Sequence, residues 1–177
     1  MSPSISQQTV PVFARGLTAL AAVLDKAEAF ARAKKIDDSV LLGARLAADM
    51  HPLSRQVQTA TDLAKIAVSR LAGAEWPKYD DTEKTFSELK ARIEKTLAYV
   101  HTVSTATLDA AADKDVTFPM GPGMKATLTG ADYVNHFSLP NFYFHITTAY
   151  AILRHTGVEL GKRDFIGAVP GLVPVAA

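Results

Sequence analysis

Histidine is the residue of this sequence best suited to chemistry near neutral pH, and its positions define the candidate site. The chain has five histidines and no cysteine, which excludes disulfides, thiolate metal sites and cysteine nucleophiles. Counting about 100° per residue from Phe142 places His145 at about 300°, within an apolar helical stripe. Asn141, at about 260° on the same count, lies on the edge of that stripe. Because inward-facing polar groups need partners, His145 is interpreted either as a satisfied buried histidine or as a ligand for a metal or small molecule.

Three further side chains are candidates for the same site. His51 lies where a helix begins at His51-Pro52, either as a helix-start residue with its ring in solvent or with its ring directed toward His145. His136 precedes Pro140, which we expect to interrupt a helix and free two carbonyls. Its ring either satisfies those carbonyls or turns toward the site. The hydroxyl of Tyr150 is the last group expected to reach the site.

The standard catalytic spacings are missing. Di-iron bundles carry Glu-x-x-His pairs, and zinc helices carry His-x-x-x-His pairs. Neither spacing occurs, and the nearest approach is Asn141-x-x-x-His145. The sequence also has no Gly-x-Ser-x-Gly elbow and no phosphate-binding glycine loop. Hydrolase triads and nucleotide sites are therefore not supported.

The elements that must position these residues are helices. Apolar residues recur at spacings of three and four, which predicts long amphipathic helices packed against one another. They begin at a Ser4-x-x-Gln7 capping box, at His51-Pro52, at Asp80-x-x-Glu83 and at Thr129-x-x-Asp132, with breaks at Ile36, Gly73, Val103 and Thr156. A short helix at about 38–46 and a hairpin of 116–118 with 126–128 complete the prediction.

This pattern predicts an all-α fold, an up-down four-helix bundle with a short extra helix and a small β-hairpin before the last helix. We expect one domain over residues 1–167 and an irregular tail over residues 168–177.

Composition narrows the class of protein further. The residues are 48% hydrophobic and 21% charged, which excludes intrinsic disorder. The net charge of +1 gives no electrostatic basis for binding nucleic acid or an anionic membrane. No apolar run reaches membrane length, and the N-terminus lacks the features of a signal peptide, so we expect a cytoplasmic protein.

Several blocks resemble a bacterial family of unknown function that is grouped with the DinB/YfiT-like metalloenzymes. The blocks are Pro11-Val-Phe-Ala-Arg-Gly-Leu17, Asp49-Met-His-Pro-Leu-x-x-Gln56 and His136-Phe-x-Leu-Pro-Asn-x-x-Phe-His145. The resemblance implies an up-down four-helix bundle, often dimeric. It also implies a divalent metal held by one histidine at the second helix and a His-x-x-x-His pair on the fourth. By position the first ligand is His51, and the pair is Asn141 and His145.

Asn141 departs from that pattern, because an amide oxygen is a poorer ligand for zinc or nickel than imidazole. We therefore expect a small-ligand pocket with a degraded metal site at His51 and His145. The expected lining residues are His51, Gln56, His136, Asn141, His145 and Tyr150. The alternatives are a divalent-metal-dependent transferase or hydrolase, with Zn or Ni, and a non-catalytic dimeric interaction protein. The expected partners are a second copy of the chain and an unknown small molecule, and whether the protein is an enzyme stays open.

Overall fold

The computed structural model describes residues 3–173 and shows a mostly helical chain with one β-hairpin. Its elements are α1 (Ile5–Gln8), α2 (Val10–Lys34), α3 (Asp38–Leu42), α4 (Leu53–Ala72), α5 (Phe86–Val100), α6 (Thr105–Asp109), β1 (Asp115–Gly121), β2 (Met124–Thr129), α7 (Gly130–Asp132), α8 (Leu139–His155) and α9 (Lys162–Ile166). A π-helical turn, Tyr133–Ser138, joins α7 to α8. The predicted helical class and hairpin are confirmed. Residues 168–173 are irregular, and residues 174–177 of the predicted tail lie outside the described residues.

Local sequence signals explain most helix ends. The Ser4 hydroxyl accepts a hydrogen bond from the Gln7 amide, completing the predicted capping box. Thr9 then leaves helical geometry (φ −111°, ψ −83°), so α1 and α2 are separate helices instead of the single helix that we expected from Ser4 to Ile36. Gly73 ends α4 in the left-handed conformation, with φ 65°.

The predicted start of α5 is wrong by about one turn. Helix α5 begins after Thr85, whose hydroxyl accepts a hydrogen bond from the Glu88 amide at 3.2 Å. Glu88 in turn accepts a hydrogen bond from the Thr85 amide at 3.1 Å. The predicted cap fails because the Glu83 carboxylate instead accepts from Gln58 and Arg92.

The long helices α2, α4, α5 and α8 pack against one another, but their directions differ from the simple up-down alternation that we expected. Arg92 of α5 contacts Thr61 of α4 at 2.8 Å, and Tyr99 contacts Ser69 at 2.7 Å. Since both pairs advance together along the chain, α4 and α5 are parallel. The physical reason is the connector, residues 73–85, which runs back along α4 before α5 begins.

A buried arginine fixes that connector in place. The Arg92 side chain is 2% exposed, and it donates to Thr61 and Asp62 of α4 at 2.8 Å each. It also pairs with Asp81 and Glu83 of the connector at 3.0 Å each. A buried charge needs this many partners, so the cluster joins α4, α5 and the connector.

Small residues allow helices α4 and α8 to pack closely against their neighbours. Ala60, Ala64 and Ala67 of α4 are fully buried. A Cβ atom on Gly16 of α2 would lie 2.6 Å from the ring of Phe142, so glycine is needed where α2 meets α8. No helix within residues 3–173 has both the length and the apolar character to cross a bilayer.

Replacing Arg92 tests the role of this buried cluster. For Arg92→Ala we expect a loss of about 3 kcal/mol in the free energy of unfolding, because the buried cation and its packing are lost and the partly exposed carboxylates around it lose their partner. Urea denaturation measures this loss. The control is Lys26→Ala, which removes a surface ion pair with Asp164 and costs less than about 1 kcal/mol. Equal losses for the two variants would contradict a structural role for Arg92.

Candidate functional site

A hydrogen bond between two helices forms the centre of the candidate site. The ring nitrogen Nδ1 of His145 on α8 lies 2.6 Å from Oε1 of the buried Gln56 on α4. Gln56 Nε2 donates to the carbonyl oxygen of His51 at 3.1 Å. Because only the amide nitrogen can donate to a carbonyl, Gln56 must offer its oxygen to His145. The Nδ1 atom of His145 therefore carries the proton, and its Nε2 atom has a free lone pair.

Burial keeps His145 neutral. Loss of solvation is the main cause that lowers the pKa of His145 to about 4, and the nearby charges of His51 and Arg55 act in the same direction. Nε2 makes no hydrogen bond with residues 3–173. The Gln56 contact thus satisfies one ring nitrogen and leaves the other able to accept a hydrogen bond or bind a ligand.

His51 is held near this pair through its backbone. Helix α4 begins at Leu53 with Pro52 as its N-cap, so His51 lies just outside the helix and does not cap it. The residue is exposed, while its carbonyl accepts the hydrogen bond from Gln56. Its ring therefore takes no part in capping α4, and its charge acts on His145.

Asn141 lies one turn before His145 on α8 and is half-buried. Its amide nitrogen Nδ2 donates to the carbonyl of Phe137 at 2.6 Å. That contact leaves the Oδ1 atom as the free end of the amide, a hydrogen-bond acceptor and a weak metal ligand.

The structure does not bring His136 to His145. The predicted break at Pro140 is absent, because the π turn carries the helix through to α8 without interruption. The His136 side chain is 74% exposed, and its Nε2 atom lies 3.7 Å from a carboxylate oxygen of Asp132. His136 therefore lies on the solvent side of the turn.

Tyr150 faces a different part of the molecule. It follows His145 by five residues, a rotation of about 140° around an α-helix. Its ring packs on Phe165 of α9, with centroids 5.7 Å apart, and lines a small cavity with Gly16 and Leu20 of α2. The six predicted residues thus do not share one pocket. The structure associates His51, Gln56 and His145, with Asn141 one turn away.

Arg55 is a residue of this region that the sequence analysis missed. Its charge acts on His145, and its guanidinium donates to Asp81 of the connector. Asp81 also pairs with the buried Arg92, which links the connector to the site. The only available signal was a basic residue beside Gln56, since its partner is remote in sequence.

No carboxylate joins these histidines as a potential metal ligand in the part of the chain that the structure describes. Within residues 3–173, no group of three or more His, Asp or Glu side chains is arranged to hold a metal ion. Any ion at this place would depend on two imidazoles and the amide oxygen of Asn141.

The mostly helical fold with its hairpin is DinB-like. Residues 5–166 match the model of a domain of unknown function, DUF1993, and the chain belongs to that family. It is also 48% identical to a DinB family member from Shewanella denitrificans whose crystal structure is known. The match covers 96% of this chain and 95% of that one, with a TM-score of 0.88. No curated protein matches the chain. The predicted DinB-like family of unknown function is confirmed, and the metal site remains a prediction.

The lowered pKa predicts how stability depends on pH. The ordinary histidine pKa is 6.5, and in the folded protein that of His145 is about 4. Between these values the unfolded chain binds a proton that the folded chain does not, so stability falls as pH drops through this window. NMR titration of the ring should give a pKa of about 4, and thermal unfolding should show a pH slope that His145→Gln reduces. A pKa near 6.5 would contradict the desolvation of this half-buried ring.

The variant Gln56→Glu is the matched control for that measurement. A carboxylate beside Nδ1 favours the protonated ring, so the pKa of His145 should rise well above about 4. The same NMR titration checks the change. A pKa that stays the same would mean that residue 56 does not contact His145 in solution.

Proposed function

We propose that the chain is a DinB-like four-helix bundle of α2, α4, α5 and α8 that binds a small molecule at His145. The observation that carries this proposal is the Gln56–His145 hydrogen bond, which fixes the ring and leaves Nε2 free. In this proposal His51 and Asn141, which lies one turn before His145 on α8, supply further polar groups to the ligand. A ligand with a hydroxyl, amine or acid proton would donate to Nε2.

The low pKa favours binding over proton abstraction. A general base works best when its pKa lies near the working pH, and a ring with a pKa of about 4 is a weak base at neutral pH. The same ring is always neutral there, so it accepts hydrogen bonds without competition from protonation. The site therefore supports recognition of a ligand better than base catalysis.

A divalent-metal-dependent transferase or hydrolase is the second candidate. Metal-binding histidines commonly donate their other ring N–H to a fixed acceptor, as His145 does to Gln56. His51, His145 and Asn141 Oδ1 would be the donors for Zn or Ni. The amide oxygen makes this set a poor fit to a tightly held ion of either kind. For this reason we place it second.

A homodimer is the proposed assembly, and a non-catalytic interaction protein is the third candidate. Apolar side chains are exposed on α8 and α9, with Tyr143 38%, Phe144 55% and Ile166 39% exposed. Large exposed aromatic residues commonly mark interfaces. Phe144→Lys should convert the dimer to monomers in sedimentation equilibrium, because it places a charge in the contact. An unchanged mass would remove Phe144 from the interface.

The binding proposal is tested with untagged protein in a thermal-shift screen of small polar molecules. A ligand at about 100 times its Kd should raise Tm by roughly 5–10 °C in a chain of this size. The shift should vanish in His145→Gln and persist in His155→Gln, which alters an exposed histidine at the end of α8.

Elemental analysis of the same samples separates the candidates. We expect no stoichiometric metal in the parent protein, even after incubation with Zn²⁺ or Ni²⁺. About one metal per chain that His145→Gln removes would replace our proposal with the metal-dependent alternative. A shift that persists in His145→Gln would place the ligand elsewhere.

A further inference from the structure

The π turn is an unusual element in the middle of a long helix. From Gly130 to His155 the chain is continuously helical, and the turn occupies Tyr133–Ser138. The Leu139 amide donates to the carbonyl of Val134, a spacing of five residues instead of four. Such a turn holds one residue more than an α turn, so it rotates the following residues by about 100° relative to a regular helix.

Side chains at the start of the turn and beyond its end contact the same neighbouring helix. At its first residue, the Tyr133 hydroxyl accepts a hydrogen bond from Arg70 of α4 at 3.2 Å, and the Tyr133 ring is buried. After it, His145 contacts Gln56 of α4. Both contacts therefore require their side chains to point toward α4.

A regular α-helix would not satisfy both contacts. Side chains twelve positions apart point about 120° away from each other in an α-helix. The extra residue of the π turn removes about 100° of that difference and leaves about 20°. The turn thus gives Tyr133 and His145 a common direction.

The turn also has an unfavourable feature. It ends at Ser138, whose buried hydroxyl is the one buried side-chain polar atom in residues 3–173 without a hydrogen-bond partner. Buried polar groups are normally paired, and π turns occur frequently at functional sites.

We infer that the π turn is a positioning element. It absorbs one of the twelve residues that separate Tyr133 from His145, so that His145 meets Gln56 while Tyr133 keeps its contact with Arg70. This inference rests on the proposed function only in treating His145 as the residue that the site needs. The geometry itself requires no ligand.

The experiment compares a deletion with an insertion at the exposed position His136. Deleting His136 converts the turn to a regular α turn and preserves the relative direction of Tyr133 and His145. We expect Tm within about 3 °C of the parent protein, and His145 protonated at Nδ1 in long-range ¹H–¹⁵N spectra. Inserting alanine after His136 adds a further rotation. It should lower Tm by more than about 5 °C and produce mixed ring tautomers.

Two outcomes would overturn the inference. One is a deletion variant that unfolds or loses the Nδ1–H signal, since that would show that the extra residue is needed for another reason. The other is an insertion variant with parental Tm and tautomer. Neither readout uses a ligand, so a failed ligand screen and a failed positioning role are distinguished.

Discussion

The packing of α8 against α4 is the constraint on which the candidate site depends. Helix α4 contacts the continuous helical stretch 130–155, which ends in α8, at three points, and fully buried alanines of α4 lie between two of them. Because each helix is rigid over these distances, the contacts fix the rotation of α8 about its own axis. That rotation decides whether the imidazole faces a neighbouring helix or solvent. The three points are Leu71 against Gly130, Arg70 with Tyr133 and Gln56 with His145.

The parallel directions of α4 and α5 also affect the candidate site, because they require a connector that passes the end of α4 where Gln56 lies. A connector that returns along α4 brings its carboxylates beside the first turns of that helix, where Gln56 lies. Asp81 accepts from both Arg92 and Arg55, so the buried cation and the residue next to Gln56 share one partner. A cation held in this way adds positive potential near His145, which opposes protonation of the ring. The fold and the electrostatics of the site are thus linked through the connector.

The features that could be predicted from the sequence are those that the local spacing of residues determines. The apolar period gave the long helices, and the phase of His145 was reliable because α8 is regular from Phe142 onward. The place of His136 was not predictable, because a π turn changes the phase and leaves no mark in the hydrophobic pattern. Helix direction across residues 73–85 was equally inaccessible, since it depends on tertiary contacts of Arg92. Helices α6 and α9 were missed because neither contains the run of consecutive apolar residues that indicated the equally short α3.

Asn141 stabilises the helix at the point where the π turn meets α8. Its amide donates to the carbonyl of Phe137, which lies within the π turn, where the ordinary pattern of backbone bonds is interrupted. Pro140, immediately before it, has no N–H to contribute. An asparagine can supply a donor to the turn and keep its oxygen as a further acceptor. Asn141 thus ties the first turn of α8 to the π turn that precedes His145, and the same residue would offer a metal ion only an amide oxygen.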